Sequence, residues 1–313
     1  MPTPSKWQSL PTEQINPASL AVDKAPVRDI IDMVIAEDRK VIAAVQKEKE
    51  KIAHGVEIIA QALRKGGRVI FIGAGTSGRL GVVEAAEMPP TFGTPARVVQ
   101  AIMAGGQAAV FQAKEGVEDN YEEGGRSIGR LRLSSRDVIV GVSASGITPF
   151  VRGGLTRGRK AGAKIIFVTC WPGTELSNFV DLIIAPSVGP EIIAGSTRLK
   201  AGTATKMVLN MLTTIAMIKW GKTYGNLMVD VRTGSEKLKD RAKRILGIVT
   251  GLEPDAAEAV LKRAKWNVKA AIVMEKAGLT LPQAIKRLRK ADNSVRDAIG
   301  EDIEPRLREL LGI

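Results

Sequence analysis

Val69-Ile70-Phe71-Ile72-Gly73-Ala74-Gly75-Thr76-Ser77-Gly78-Arg79 is the stretch that decides the fold. Its first half is apolar at every position rather than at alternate ones, which predicts a strand covered on both faces. The glycines and two hydroxyls that follow predict a tight turn into a helix. The same pattern recurs outward along the chain. Continuous apolar runs at residues 97–102, 138–142, 165–169 and 182–185 predict four more strands. Between them lie helical patterns at 78–88, at 107–114 continuing toward 130, and at 149–161. Alternation of strands and helices predicts an α/β fold: an open parallel five-stranded sheet, right-handed in its crossovers, with helices on both faces.

On the N-terminal side, residues 1–25 read as an extended arm, with Pro2, Pro4, Pro11 and Pro17 along it and Pro26 at its end. Two helices are predicted at 27–46 and 49–65, the second stopped by Gly66-Gly67. On the C-terminal side a long helical pattern runs from 198 to 224. Glu253-Pro254-Asp255 opens a short helix, and Gly278 with Thr280-Leu281-Pro282 separates two others. With no strand signal beyond residue 239, residues 240–313 are expected to form a small helical bundle apart from 1–239.

Composition narrows the function. The 313 residues are 44% hydrophobic and 25% charged, as in a soluble globular protein. No apolar run approaches the roughly 20 residues that span a bilayer, and the N-terminus lacks the apolar segment of a signal peptide. A cytoplasmic protein without membrane contact is expected. One cysteine, Cys170, and one histidine, His54, exclude a disulfide framework and a Cys- or His-based metal site. They also argue against a Ser-His-Asp hydrolase. The formal charge is +13, but only 4% of residues are aromatic, which disfavours a base-stacking surface for nucleic acid. The densest basic run, residues 286–290, reads as a solvated helix face. An anionic small substrate accounts for the charge better.

The turn after the first strand matches G-x-G-x-x-G literally. A dinucleotide site also wants an acidic residue at the end of the second strand. Here that strand reads Arg97-Val98-Val99-Gln100-Ala101-Ile102, then Met103, so no nucleotide cofactor is expected. Thr76 and Ser77 could serve only as helix caps, but a glycine-rich loop at a strand's C-terminal end favours an anion site at Gly75, Thr76, Ser77 and Gly78, with backbone amides and the helix dipole at a helix start. The third strand ends in Ser143-Ala144-Ser145-Gly146-Ile147-Thr148-Pro149, a second hydroxyl-rich entry to a helix. Two such turns on one parallel sheet predict a phosphate pocket formed with Ser143, Ser145 and Thr148. In a third block, residues 189–206, Ser196 or Thr197 is expected to cap the long helix. Arg198 in its first turn opposes the helix dipole and suggests an anion nearby.

Taken together, these blocks resemble the sugar isomerase (SIS) domain of the N-acetylmuramic acid 6-phosphate etherase family. The resemblance rests on Leu10-Pro11-Thr12-Glu13-Gln14, on residues 73–93 ending Glu87-Met88-Pro89-Pro90-Thr91-Phe92-Gly93, and on Glu115-Gly116-Val117-Glu118-Asp119. It continues through residues 189–206, shared with the glucokinase regulatory protein, and Gly225-Asn226-Leu227-Met228-Val229-Asp230. The resemblance implies a phosphorylated amino-sugar substrate, a homodimer, no metal and no cofactor. It also implies a C-terminal bundle of ubiquitin-associated type, and Glu191, Ser196 and Lys206 among the binding residues. Glu191 is the candidate for a site shared between subunits.

Cleaving a lactyl ether at C3 of an open-chain 2-amido sugar needs a base for the C2 proton and an acid for the departing oxygen, which two carboxyls can divide. By resemblance Glu87 matches the acid and Glu118 the base, with the assignment of roles open. Glu84, one turn before Glu87, is the alternative that residue type alone cannot set aside. Two other readings share the fold: a non-catalytic sugar-phosphate sensor and a phosphosugar isomerase.

Overall fold

The computed structural model describes residues 10–313. The start of the predicted arm, with Pro2 and Pro4, lies outside the described residues. The chain forms two compact units, one of residues up to Ala86 with Arg97–Thr213, the other of Glu87–Ala96 with Thr214–Ile313.

In the first unit the elements follow in the order α1 (Val27–Lys47), α2 (Lys49–Arg64), β1 (Val69–Gly73), α3 (Gly75–Phe92), β2 (Val99–Met103), α4 (Ala108–Phe111), α5 (Tyr121–Gly129), β3 (Val138–Val142), α6 (Pro149–Lys160), β4 (Lys164–Val168), β5 (Leu182–Ile184) and α7 (Lys200–Lys219). The boundary between units falls within α3 and within α7. All five strands are parallel, in the order β2-β1-β3-β4-β5. Every residue of β1 and β3 is buried, which is why their sequences do not alternate. Neighbouring residues of a strand face opposite sides of the sheet. A β-carbon added to Gly81 of α3 would lie 2.9 Å from Cβ of Phe71, and one on Gly154 of α6 would lie 2.1 Å from Cδ1 of Ile72. Helices therefore cover both faces. Helices α5 and α6 approach until their backbones touch: a β-carbon on Gly124 would fall 1.9 Å from the Phe150 carbonyl oxygen, and one on Gly153 1.9 Å from that of Tyr121.

Three local expectations change. Pro89-Pro90 is expected to end α3 at Met88, yet the helix runs to Phe92 with both prolines inside it. Each proline forgoes one amide bond to the carbonyl four residues back, but only the final turn is affected, and the Gly93 amide closes that turn on the Pro89 carbonyl at 3.0 Å. The single helix expected from 107 toward 130 is broken. Gly116 adopts a left-handed conformation (φ +75°), and Asn120 then caps α5 by accepting from the Glu123 amide. Helix α7 opens at Lys200 rather than 198, because its first amides are taken by the buried carboxylate of Glu191 and not by Ser196 or Thr197.

The second unit has no strand among its described residues. It contains α8 (Glu236–Thr250), α9 (Pro254–Arg263), α10 (Val268–Ala277), α11 (Leu281–Lys290), α12 (Val295–Ile299) and α13 (Glu304–Leu311). Ser235, Asn267 and Ser294 each accept from an amide of the helix they precede, and Thr280 with Gln283 forms a capping box. Ala242, Leu246, Ala257, Leu261 and Ile272 lie in its fully buried core. On α11, Ala284 and Leu288 are buried while Lys286, Arg287, Arg289 and Lys290 face solvent, the solvated face expected of this basic run. No described helix is long and apolar enough to cross a membrane.

Candidate active site

A cavity of about 380 Å³ opens at the C-terminal ends of β1, β2 and β3. With this strand order the chain leaves β1 toward one side and β3 toward the other, the place where open α/β sheets leave a crevice for ligands.

Two helix entries form one part of its wall. Ala74, Gly75, Thr76 and Ser77 line it from the start of α3, and Ser143, Ala144, Ser145 and Thr148 from the turn between β3 and α6. Helix α3 begins at Gly75 rather than 78, so Thr76 and Ser77 belong to its first turn, where amides have no intrahelical partner. Gly78 does not line the cavity. Its amide donates to the Ala74 carbonyl at 3.1 Å, and an added β-carbon would lie 2.8 Å from the Gly73 carbonyl oxygen and 2.9 Å from Cγ of Met103. Close packing of helix on strand requires glycine there. Ser143 organises the second entry: its Oγ lies 2.7 Å from Oγ1 of Thr148 and 3.4 Å from Oγ of Ser145, and accepts from the Gly146 amide at 3.2 Å.

Charged side chains line the remainder. Glu118 follows the left-handed Gly116 in the turn Val117–Asp119, half-buried at the cavity wall with Lys114 and Glu115. Arg79 also lines it and donates to the carbonyls of Ala109 (2.8 Å) and Val110 (2.9 Å), which fixes α4 and keeps a full positive charge at the wall. Glu13, Gly195 and Thr197 complete the lining named here.

Other candidates lie elsewhere. Glu87 is exposed on α3, roughly 18 Å of helix beyond Gly75, and does not line the cavity. Glu84 is buried and accepts from Asn210 and, at 2.6 Å, from Oγ1 of Thr213; it ties α3 to α7. Glu191 is 1% exposed and accepts from the amides of Lys200 (3.0 Å) and Ala201 (2.9 Å). Burial pushes its carboxyl up, against the pull of those two amides and of Lys200. The Lys200 ammonium instead pairs with Glu37. Burial opposes ionisation of Glu37, but hydrogen bonds from Lys200 and Lys40 outweigh it and hold the carboxyl at about 2. Neither Ser196 nor the exposed Lys206 lines the cavity, and Arg198 is exposed outside it. Burial pushes the Cys170 thiol up to about 12, so it is no thiolate nucleophile near neutral pH. Among the described residues, no three His, Cys, Asp or Glu side chains are grouped to hold a metal ion.

The sequence pointed to both helix entries and to Glu118, but not to Arg79, Lys114 or Glu13 as lining residues. Arg79 was legible as the next residue of the loop. Glu13 stands far from every strand in sequence, and only the tertiary fold carries it to the cavity.

The family model for the glucokinase regulatory protein N-terminal SIS domain matches residues 51–158. An N-acetylmuramic acid 6-phosphate etherase of Salinibacter ruber is 49% identical over 296 residues, covering 94% of this chain and 95% of that one. The etherase of Rhodopirellula baltica is 50% identical over 270 residues, 86% and 89% of the two chains. Among solved structures, a phosphoheptose isomerase from Francisella tularensis covers 61% of this chain and 98% of its own at 18% identity, with a TM-score of 0.47.

Proposed function

The chain belongs to the N-acetylmuramic acid 6-phosphate etherase family, and from that premise we propose how its cavity carries out the reaction. The protein cleaves the lactyl ether of N-acetylmuramic acid 6-phosphate to give N-acetylglucosamine 6-phosphate and D-lactate, as a carbon–oxygen lyase. The observation that carries the reading is the joining, in one cavity, of two hydroxyl-rich helix entries with the carboxylate of Glu118. The 6-phosphate occupies the entries, accepting from the amides and hydroxyls of Thr76 and Ser77 and from Ser145 and Thr148. Arg79 adds a positive charge to the same wall.

Glu118 takes the proton from C2 of the ring-opened sugar, where the neighbouring aldehyde stabilises the developing charge. The C3–O bond breaks, the ether oxygen takes a proton from the acid, and lactate leaves a 2,3-unsaturated aldehyde. Water then adds its oxygen at C3 while C2 regains a proton. Glu87 is the acid. Its side chain is exposed and, in the homodimer proposed here, serves the substrate held by a second copy. Homodimerisation is supported by α1, where Val27, Ile31, Ile35 and Ile42 are 73%, 51%, 46% and 58% exposed. Their spacing sets them along one helical face, and an apolar stripe of this kind suits burial against another chain.

Mixing two variants tests the arrangement. Glu87→Gln and Glu118→Gln should each release lactate about 10²- to 10⁴-fold more slowly, the loss expected for a general acid or base. Unfolded together and refolded as mixed dimers, they should regain about a quarter of wild-type activity, since half the dimers then hold one intact site. No recovery in mixed dimers of proven composition would place both carboxylates in one chain's site, and a single variant with the wild-type rate would remove its residue from the reaction.

A further inference from the structure

Glu13 is a carboxylate of the cavity to which the elimination gives no task. It ends the turn Pro11–Glu13, and the segment around it is fastened to the loop before α7. Leu10 and Thr12 are buried beside it. The amide of Gly195 donates to the Thr12 carbonyl at 3.0 Å, Nδ2 of Asn16 to the Pro190 carbonyl at 3.1 Å, and Oγ of Ser19 to the Ile192 carbonyl at 2.8 Å. Those contacts hold the segment without using the carboxylate of residue 13. They nevertheless bring it to the cavity wall, against Gly195 (φ +77°), where an added β-carbon would lie 3.0 Å from Oε2 of Glu13. Among the described residues no hydrogen bond or ion pair engages its oxygens, although Lys114 lines the same cavity.

We propose that Glu13 is a substrate-binding residue that accepts hydrogen bonds from the hydroxyl groups of the sugar chain. Chemistry selects this partner. The substrate's two anionic groups, phosphate and lactyl carboxylate, repel a carboxylate at short range. Its hydroxyls are donors, and an ionised carboxylate is an acceptor with room for two of them. Ring opening frees the C5 hydroxyl as a further donor for such an acceptor. The inference rests on the phosphosugar reading above and adds to it the groups that recognise the sugar between its charged ends.

The test compares Glu13→Ala and wild type in three measurements. The KM for N-acetylmuramic acid 6-phosphate should rise at least tenfold and kcat fall less than threefold, the loss expected for a charge-assisted hydrogen bond that holds substrate and transition state alike. Calorimetric binding of N-acetylglucosamine 6-phosphate should weaken by a similar factor, which reads the contact without turnover. Competitive inhibition by inorganic phosphate should be unchanged, because that probe occupies only the helix entries. An unchanged KM and affinity would overturn the inference. So would a parallel weakening of phosphate inhibition, which would mean the site had collapsed, or loss of kcat at constant KM. If wild type binds the phosphosugar but releases no lactate, the proposed reaction fails while the Glu13 contact is still decided by the calorimetry.

Discussion

Glu37 shows how a buried charge can serve a site it never touches. Its carboxylate holds Lys200 at the first turn of α7, whose leading amides are held by Glu191, and the loop just before that turn supplies Gly195 and Thr197 to the cavity. Because its carboxyl sits at about 2 instead of 4.5, Glu37 adds stability that is complete above pH 4.5 and is lost as the pH falls through about 2. Glu37→Gln keeps the shape but leaves Lys200 buried without its counter-ion. Chemical denaturation of that variant should show a loss of about 3 kcal/mol at pH 7 and a flatter decline than wild type between pH 5 and 2. A pH dependence identical to wild type would mean that Glu37 is not ionised by this pairing.

At the scale of elements, the crossing of α5 and α6 leaves no room for a side chain. The two backbones meet at Gly124 and Gly153, while Gly125 has only an ordinary contact, 3.5 Å from the Gly153 carbonyl oxygen. Gly153→Ala must push the helices apart and should cost about 3 kcal/mol, lowering the thermal midpoint by roughly 6–12 °C. Gly125→Ala should be neutral or slightly stabilising, since alanine is the better helix former. Equal effects of the two substitutions would contradict the crossing.

The strands were legible because burial on both faces leaves an unbroken apolar run, and both hydroxyl-rich turns because each joins glycine and hydroxyls between such a run and a helix. What stayed hidden was set by single backbone conformations and distant partners. The helix expected from 107 toward 130 already ends at Phe111, where Gln112 turns extended, and the left-handed Gly116 then opens the turn that presents Glu118 at the cavity wall. Glu191 replaces the expected hydroxyl cap from nine residues away. Pro89 and Pro90 sit near enough to the helix end to be accommodated, so α3 carries Glu87 one turn further from a terminus than the sequence suggests.

At the scale of the whole molecule, the positive charge of +13 suits a substrate that carries two anionic groups, phosphate and lactyl carboxylate. The cavity wall repeats this in small, with Arg79 and Lys114 beside the hydroxyl-rich entries. Recognition of the phosphate and cleavage of the ether are thus separate demands on one site. They come apart when phosphorylated and unphosphorylated sugars are compared. Enzymatic measurement of D-lactate released from N-acetylmuramic acid 6-phosphate, beside N-acetylmuramic acid without its phosphate, tests both together. The account predicts release from the phosphorylated sugar, with kcat/KM lower by at least about 10²-fold for the other, given several charge-assisted hydrogen bonds to phosphate. No lactate from the phosphorylated sugar, or equal rates from the two, would contradict it.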